Sequence, residues 1–392
     1  MSLGPPRVRG YAMCRVLVAL FFGALAGCQS VVPQPNPPDG RGFLEDGNSD
    51  PTVVSTKGRT SGEPNDSFDT ALVAVLNASD AANLQGTIEA LGDLDVFDLG
   101  AADAGDRIIV DVDAADDALD VSIALFDAQE RLFIANDDRE TQARPLDSYV
   151  DEIVRHASEH YYLAVGASAF AGSDSRSVGS YRARVTIVRD GLVPPAVCQT
   201  LLLDFDGGTV DAAAIPTSWV EAFDAADIAP RYAGQTETIK SAIVATVREN
   251  YEGLDVDVVT SDDPPPEGAH STVFFGGRNP IAFGIAEAVD HYNTNPRDVA
   301  VIFTESFVPS VFSTPPGPEE LGVAIANIAS HEAGHILGLN HVNDPTALMD
   351  AVSPADTFLQ DQEFKTAPLS EQLLPIGFQD ALLLLAEIVG LR

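Results

Sequence analysis

Residues 321–341 read LGVAIANIASHEAGHILGLNH. Inside that stretch His331, Glu332, His335, Gly338 and His341 fall in the order H-E-x-x-H-x-x-G-x-x-H. At 3.6 residues per turn, helical residues four apart lie about 40° apart around the axis and one turn apart in height. The imidazoles of His331 and His335 therefore point the same way and can share one metal ion. Glu332, one position on from His331, reaches a water held by that ion. Gly338 tolerates positive φ, which ends a helix and turns the chain back. That turn brings His341 in as a third nitrogen. Three neutral imidazoles with a free fourth position are the ligand set of a catalytic zinc, whereas a structural zinc is closed by four protein ligands. The chain has only seven histidines and three of them stand here, so coincidence is a poor explanation of the spacing.

Met349 follows eight residues after His341, within Pro345-Thr346-Ala347-Leu348-Met349-Asp350. The extended histidine string followed by a methionine turn resembles the metzincin metallopeptidases, and the Ala-Leu-Met run is similar to the matrixin branch. The resemblance implies one catalytic zinc on His331, His335 and His341, Glu332 as general base, and Met349 as a hydrophobic floor beneath the metal. It implies a zinc endopeptidase acting on protein or peptide. Val342 replaces the serine usual after the third histidine of matrixins, and Asp350 replaces a common aromatic residue. Two other readings use the same residues: a surface binding or adhesion protein with an auxiliary zinc site, and a zinc hydrolase of a non-peptide amide or ester. Glu332 speaks against the first of these, because holding a metal does not need that carboxylate.

Outward from the histidine string, residues 198–392 read as an α+β metzincin-like domain with a mixed sheet, an active-site helix, a methionine turn and a C-terminal helix. Strand-like runs are TLLLDFDGG (200–208), DVDVVT (255–260), STVFFGG (271–277) and DVAVIFTE (298–305). Ile239, Ile243, Val244 and Val247 share one face of a helix at spacings of three and four. A helix-like run, DALLLLAEIVGL, ends the chain at 380–391 and is too short to span a membrane. Residues 271–277 are a candidate for the edge strand along which an extended substrate lies. Tyr232, Tyr251 and Tyr292 read as core or surface residues. Asp255, Asp257, Asp262 and Asp263 offer oxygen ligands for a structural calcium, with a solvated loop as the alternative. Cys198, in PPAVCQT, does not match the zinc-blocking propeptide motif of matrixin zymogens and reads as a buried structural thiol.

Before the Pro-rich break at 192–195, residues 61–190 read as an all-β sandwich, so that the chain is multidomain. Ile108, Val110 and Val112 alternate with Ile109, Asp111 and Asp113; VSIALF (121–126), YYLAV (161–165) and Tyr181, Ala183, Val185, Ile187 continue the short runs. GEPNDSFDTA (62–71) and GDLDVFDL (92–99) resemble the bacterial pre-peptidase C-terminal (PPC) domain family. That resemblance implies a β-sandwich attached to a secreted peptidase, here placed before the catalytic part. Asp93 with Asp95, and Asp137 with Asp138, could offer ligands to Ca2+, though neither has the spacing of an EF-hand loop and solvated turns are the simpler reading.

The N-terminus reads as an address. Arg7, Arg9 and Arg15 precede the twelve-residue apolar run Val16–Gly27, which ends in Leu25-Ala26-Gly27-Cys28. A span of the bilayer takes about 20 helical residues, and a basic start with a short apolar run is the form of an export signal. The small residues before Cys28 resemble the lipobox of bacterial lipoproteins, which implies a signal at 1–27, lipid on Cys28 and anchorage to the cell envelope at the outer membrane; an ordinary secretory signal and an extracellular product are the alternative. Met13 offers a second start with the same cut. Residues 28–60, rich in Pro and Gly, read as a spacer. With 22 Lys+Arg against 59 Asp+Glu and a net charge of -37, the chain has no means of neutralising phosphates, which argues against nucleic acid as a partner. Three cysteines, Cys14, Cys28 and Cys198, exclude a disulfide scaffold. The sequence leaves the oligomeric state open.

Overall fold

Two sheets come first. Strands Val54–Ser55, Leu72–Val73, Leu94–Asp98, Tyr161–Ala167, Val121–Asp127 and Leu132–Asn136 form one, in that spatial order. Ala81–Ile88, Gly179–Val188, Arg107–Ala114 and Tyr149–Ile153 form the other. The computed structural model describes residues 54–55 and 63–392, except 91, 116–117, 139–146, 169–176 and 213. The expected signal, Cys28 and most of the 28–60 spacer lie outside the described residues. Within that spacer, Val54–Ser55 pairs antiparallel with Leu72–Val73.

The two sheets face each other across one core that joins Ile108, Val110 and Val185 of the four-stranded sheet to Phe97, Ile123, Leu125 and Leu163 of the six-stranded one. The four-stranded sheet has a wet outer face, and Arg107–Ala114 alternates buried and less buried residues along its length. The six-stranded sheet does not. Val121–Asp127 and Leu94–Asp98 are buried at every position, so the VSIALF run departs from the alternation expected of it. A continuous apolar run is what a strand covered on both faces requires. The cover comes from the far end of the chain: Leu369 and Leu374 pack on Leu94, Val96, Phe126 and Leu132, and Phe378 N–H donates to Glu130 O at 2.9 Å.

The second half is built on a five-stranded sheet in the order Val256–Thr260, Gln199–Asp204, Ser271–Phe275, Val299–Ile302, Gly284–Ala286. The first four strands run parallel and the last runs antiparallel to its neighbour. Residues 271–277, a candidate for the edge strand, are not one: Ser271–Phe275 is paired on both sides. Its burial agrees, since Val273, Phe274 and Phe275 are all buried, as an interior parallel strand demands. The edges are Val256–Thr260 and Gly284–Ala286.

Helices Thr236–Asn250 and Pro318–Ile336 cover one face of this sheet, burying Ile239, Ile243, Val247, Leu321, Ile325 and Ile328 against Leu201, Val273 and Ile302. Their crossing is close because Gly322 has no side chain; a Cβ there would stand 2.5 Å from the Cβ of Ala242. The helix carrying the histidines starts at a Pro in its first turn, and the Glu320 carboxylate accepts from Gly317 N–H at 2.7 Å. Helix Ala381–Ile388 buries Leu384, Leu385 and Ile388 in the same core. Among the described residues no helix is long and apolar enough to cross a membrane.

One polar contact ties this last helix to the β-unit. The His156 ring lies 2.7 Å from Glu387 Oε1 and 3.1 Å from Asp127 Oδ2. Bonds to Asp127 and Glu387 hold its pKa up at about 9, against an ordinary 6.5. Because the folded value is raised, the stabilisation is fully present below pH 6.5 and is lost as pH climbs through 9. The contact is expected to contribute on the order of 2–3 kcal/mol at pH 6, less than the full shift because the ring is partly wet. Thermal unfolding of wild type and His156→Gln checks this: the gap in Tm should be widest near pH 6 and shrink by pH 10, and a gap independent of pH contradicts it.

Candidate metal centre

The helix Pro318–Ile336 buries His331, Glu332 and His335 completely or nearly so, with 3%, 0% and 0% exposure, while His341 is half-buried. His331 Nδ1 lies 2.6 Å from Leu348 O and His335 Nδ1 lies 2.7 Å from Leu339 O. A carbonyl can only accept, so each Nδ1 carries the proton and each Nε2 of the neutral ring is a bare lone pair. These Nε2 atoms are 3.0 Å apart, and the His341 Nε2 is 3.2 Å from the first and 3.1 Å from the second. Burial holds His331 near pKa 4 and His341 near 3, and pushes His335 well below its ordinary value. The rings are therefore neutral at pH 7, the form that binds a metal.

Two bare nitrogens held face to face repel each other unless a cation lies between them. Tetrahedral zinc with Zn–N of about 2.0–2.1 Å sets its nitrogens about 3.3–3.4 Å apart, close to the separations here. Glu332 supplies a second sign of fit. Both its carboxylate oxygens are buried without a hydrogen bond of full geometry, although the nearby Ala286 backbone N–H favours the charged form somewhat. Burial pushes its pKa up to about 8, a carboxylate short of positive charge. The donor set, neutral nitrogens beside a buried carboxylate with no positive charge near it, fits a zinc dication with a water.

The chain beyond the helix is turned by Gly338, at φ +94. Gly338 N–H donates to His335 O at 2.8 Å and Leu339 N–H to Gly334 O at 2.9 Å, the paired bonds of a Schellman turn. The same turn points Leu339 O at His335 Nδ1, so one glycine both ends the helix and fixes a ligand's tautomer. Gln379, fully buried, then grips Asn340 from both sides, accepting from its N–H and donating to its O, each at 2.7 Å. This delivers His341 to the cluster. Met349 is 1% exposed and lies under the helix, where a Cβ on Gly334 would stand 2.6 Å from its Sδ. Val342 pairs through its backbone with Met349 and Ala351. Asp350 accepts from Asp344 N–H at 2.8 Å and Ser353 Oγ at 2.5 Å, so the acidic substitution closes the loop around Met349.

Glu332 lies directly against the edge strand. A Cβ on Gly284 would stand 2.6 Å from both its Cγ and its Oε1. Sequence reading missed Gly284, Leu348, Leu339 and Gln379, three of which act through backbone or through absence of a side chain and so carry no motif.

Other expected sites are not assembled. Asp95 points into the β-core, accepting from Tyr181 Oη at 2.6 Å and Asn65 Nδ2 at 2.9 Å. Glu63, Asp66 and Asp93 gather instead, their carboxylates within 4.8 Å of one another, on the surface. Asp255 and Asp257 are paired with Arg392, Asp262 with Lys240, and Asp263 accepts from Thr260. Asp120 and Asp138 sit with Asp137, their pKa values raised by burial and then by the neighbouring charges. Ca2+ finds no support in these contacts. Cys198, expected to be buried, is exposed, with Sγ 3.9 Å from Asp257 Oδ2. It precedes a strand three places along the sheet from the edge beside Glu332. Tyr232 and Tyr251 are core residues, bonded to Pro316 O and Ser330 O.

The family model for Matrixin matches residues 211–365, a span that includes the three histidines, Glu332, Gly338 and Met349. No curated protein matches the chain. Archaemetzincin from Methanopyrus kandleri is 16% identical with a TM-score of 0.26, covering 44% of this chain and 91% of its own. The pre-peptidase C-terminal domain of a Bacillus anthracis collagenase is 17% identical with a TM-score of 0.22, covering 33% of this chain and 100% of its own. A lysozyme inhibitor, PliG of Aeromonas hydrophila, is 15% identical with a TM-score of 0.24, covering 30% and 94%. At these scores the likenesses say nothing about chemistry. The Matrixin match, together with the histidine cluster, supports a zinc metallopeptidase.

Zinc bound only by the folded triad must stabilise the fold by mass action, by about 2.7 kcal/mol at 100 times its Kd. Tm should therefore rise with zinc concentration and fall with chelator in wild type, and should not respond in His335→Ala. Equal responses in the two proteins would show that zinc binds elsewhere.

Proposed function

We propose that this chain is an exported zinc endopeptidase, tethered to the bacterial cell envelope through lipid on Cys28, with His331, His335 and His341 as zinc ligands and Glu332 as general base. The observation that carries the chemistry is the convergence of three Nε2 atoms, those of His331 and His335 left as bare lone pairs, beside a buried carboxylate. The tether rests on the Leu25-Ala26-Gly27-Cys28 sequence and the short apolar run before it.

Zinc held by the three imidazoles supplies Lewis acidity toward a scissile carbonyl and acidifies a bound water. The protein residues do the rest. Positive charge in the triad draws Glu332 back from its raised pKa to the carboxylate. As a carboxylate it takes a proton from the attacking water, and as an acid it gives that proton to the departing amine. Gly284 keeps the edge strand clear of the Glu332 side chain, so an extended peptide added along Gly284–Ala286 passes close to the base. His341, the most exposed ligand, marks the side from which the site is entered. Met349, packed beneath the helix, keeps the floor dry and the ligand rings in place.

The full chain should cleave unfolded protein or a mixed peptide library. Glu332→Ala should lower cleavage at least about a hundredfold, the usual scale for a general base, while zinc stays near one per chain. Equal cleavage by the two proteins contradicts the assignment of Glu332. Zinc binding without cleavage by wild type favours a binding protein, and cleavage confined to non-peptide amides or esters favours a different hydrolase. Fractionation checks the tether: Cys28→Ser should move the protein from membrane to soluble fractions.

A further inference from the structure

Segment 290–293 touches the metal centre on one side and the two-sheet unit on the other. Toward the centre, Asp290 N–H donates to His335 O at 3.0 Å. A Cβ on Gly338 would meet Asp290 O at 2.9 Å, Tyr292 N at 3.0 Å and His291 Cα at 3.1 Å, so the segment is pressed against the turn that aims Leu339 O and His341. Toward the β-unit, Tyr292 Oη donates to Phe133 O at 3.0 Å and its ring lies under the Arg155 guanidinium, 3.4 Å from the ring centroid. Arg155 is itself fixed by Glu152 at 2.8 Å and Ile153 O at 2.7 Å. The His291 imidazole is flanked by the backbone carbonyls of Ala135 and Gly338, one from each half. Phe133 and Ala135 both belong to strand Leu132–Asn136.

The backbone records how tightly this segment is held. Tyr292 and Asn293 both have positive φ, +63 and +49. Left-handed conformations at non-glycine residues cost about 1–3 kcal/mol each and persist only where the surroundings over-determine them. Asn293 Nδ2 donates to Gln199 Oε1 at 2.8 Å, Thr294 Oγ1 to Asp290 Oδ1 at 2.6 Å and Asn295 N–H to Asp290 Oδ2 at 2.7 Å. A loop that merely joined the two neighbouring strands Gly284–Ala286 and Val299–Ile302 would have no need of this.

We propose that the two-sheet unit is a positioning element for the metal centre, with strand Leu132–Asn136 holding His291 and Tyr292 so that they set the Gly338 turn and, through it, His335 and His341. The inference rests on the triad being a zinc site. Residues that orient ligands typically govern about 10–100-fold in metal affinity, and the lower end is expected for residues acting through a turn.

The test measures zinc Kd by competition with a chromophoric chelator, using the full chain at a temperature where circular dichroism shows each protein folded. Tyr292→Leu and His291→Leu should weaken zinc about tenfold. Tyr292→Phe, which keeps the ring beneath Arg155, should recover most of the loss and lie within about threefold of wild type. It also keeps the test decisive if the leucine variants do not fold, since it should still be measurably weaker than wild type. Tyr232→Phe, which loses a comparable bond to Pro316 O away from the triad, should lower Tm without changing Kd. If every folded position-291 and position-292 variant binds zinc as tightly as wild type, the positioning role is overturned and the centre stands. If wild type binds no zinc at the triad, both fall.

Discussion

Leu348 and Leu339 each present a backbone carbonyl to the Nδ1 of a histidine, and the consequence is electrostatic. The protons are committed outward, so the nitrogens that face each other at 3.0 Å have only lone pairs to offer. Around that unfavourable meeting the structure is arranged with little slack. A glycine turn closes the helix, Gln379 fixes the approach of His341, and Met349 fills the space below. Burial keeps the rings neutral and raises the pKa of Glu332. The facing lone pairs and the buried Glu332 carboxylate cost stability in a chain that binds nothing there, since buried polar groups without a compensating charge are expensive. A cation relieves all of them at once.

That constraint extends past the helix. Gly338 can make its turn only where the backbone of 290–292 leaves it room, and that backbone is held by strand Leu132–Asn136 of the other half. Leu369 and Leu374 return from the C-terminal side to bury the outer face of the six-stranded sheet, and His156 joins Asp127 to Glu387. The two halves therefore share apolar cover, a strained loop and a charged contact. Separate cores would require none of these.

What could be read in the sequence depended on whether the physics is local. The spacing of His331, His335 and His341 is dictated by one helix and one glycine turn, and the structure brings their nitrogens together. The period-two run at 108–112 reports a single wet face, and the structure has it. Readings that depend on distant partners went astray. STVFFGG reads as a candidate edge because nothing local names its partners, although Val273, Phe274 and Phe275 in succession are the mark of an interior parallel strand. The edge beside Glu332, Gly284–Ala286, is three residues long and has no pattern to show. VSIALF looked half-buried because its cover lies about 250 residues downstream, a separation visible from the residue numbers of its contacts. Asp255 and Asp257 look like metal ligands until Arg392 is placed beside them, and Cys198 gives no sign in sequence of being exposed.

X-ray absorption at the zinc edge, on the full chain loaded with one equivalent of zinc, tests the metal centre most directly. Three imidazole nitrogens and one further light atom at about 2.0–2.1 Å are expected, with no sulfur. A sulfur shell at about 2.3 Å, which would place Cys198 on the metal, or a shell of oxygens without imidazole, would contradict the account.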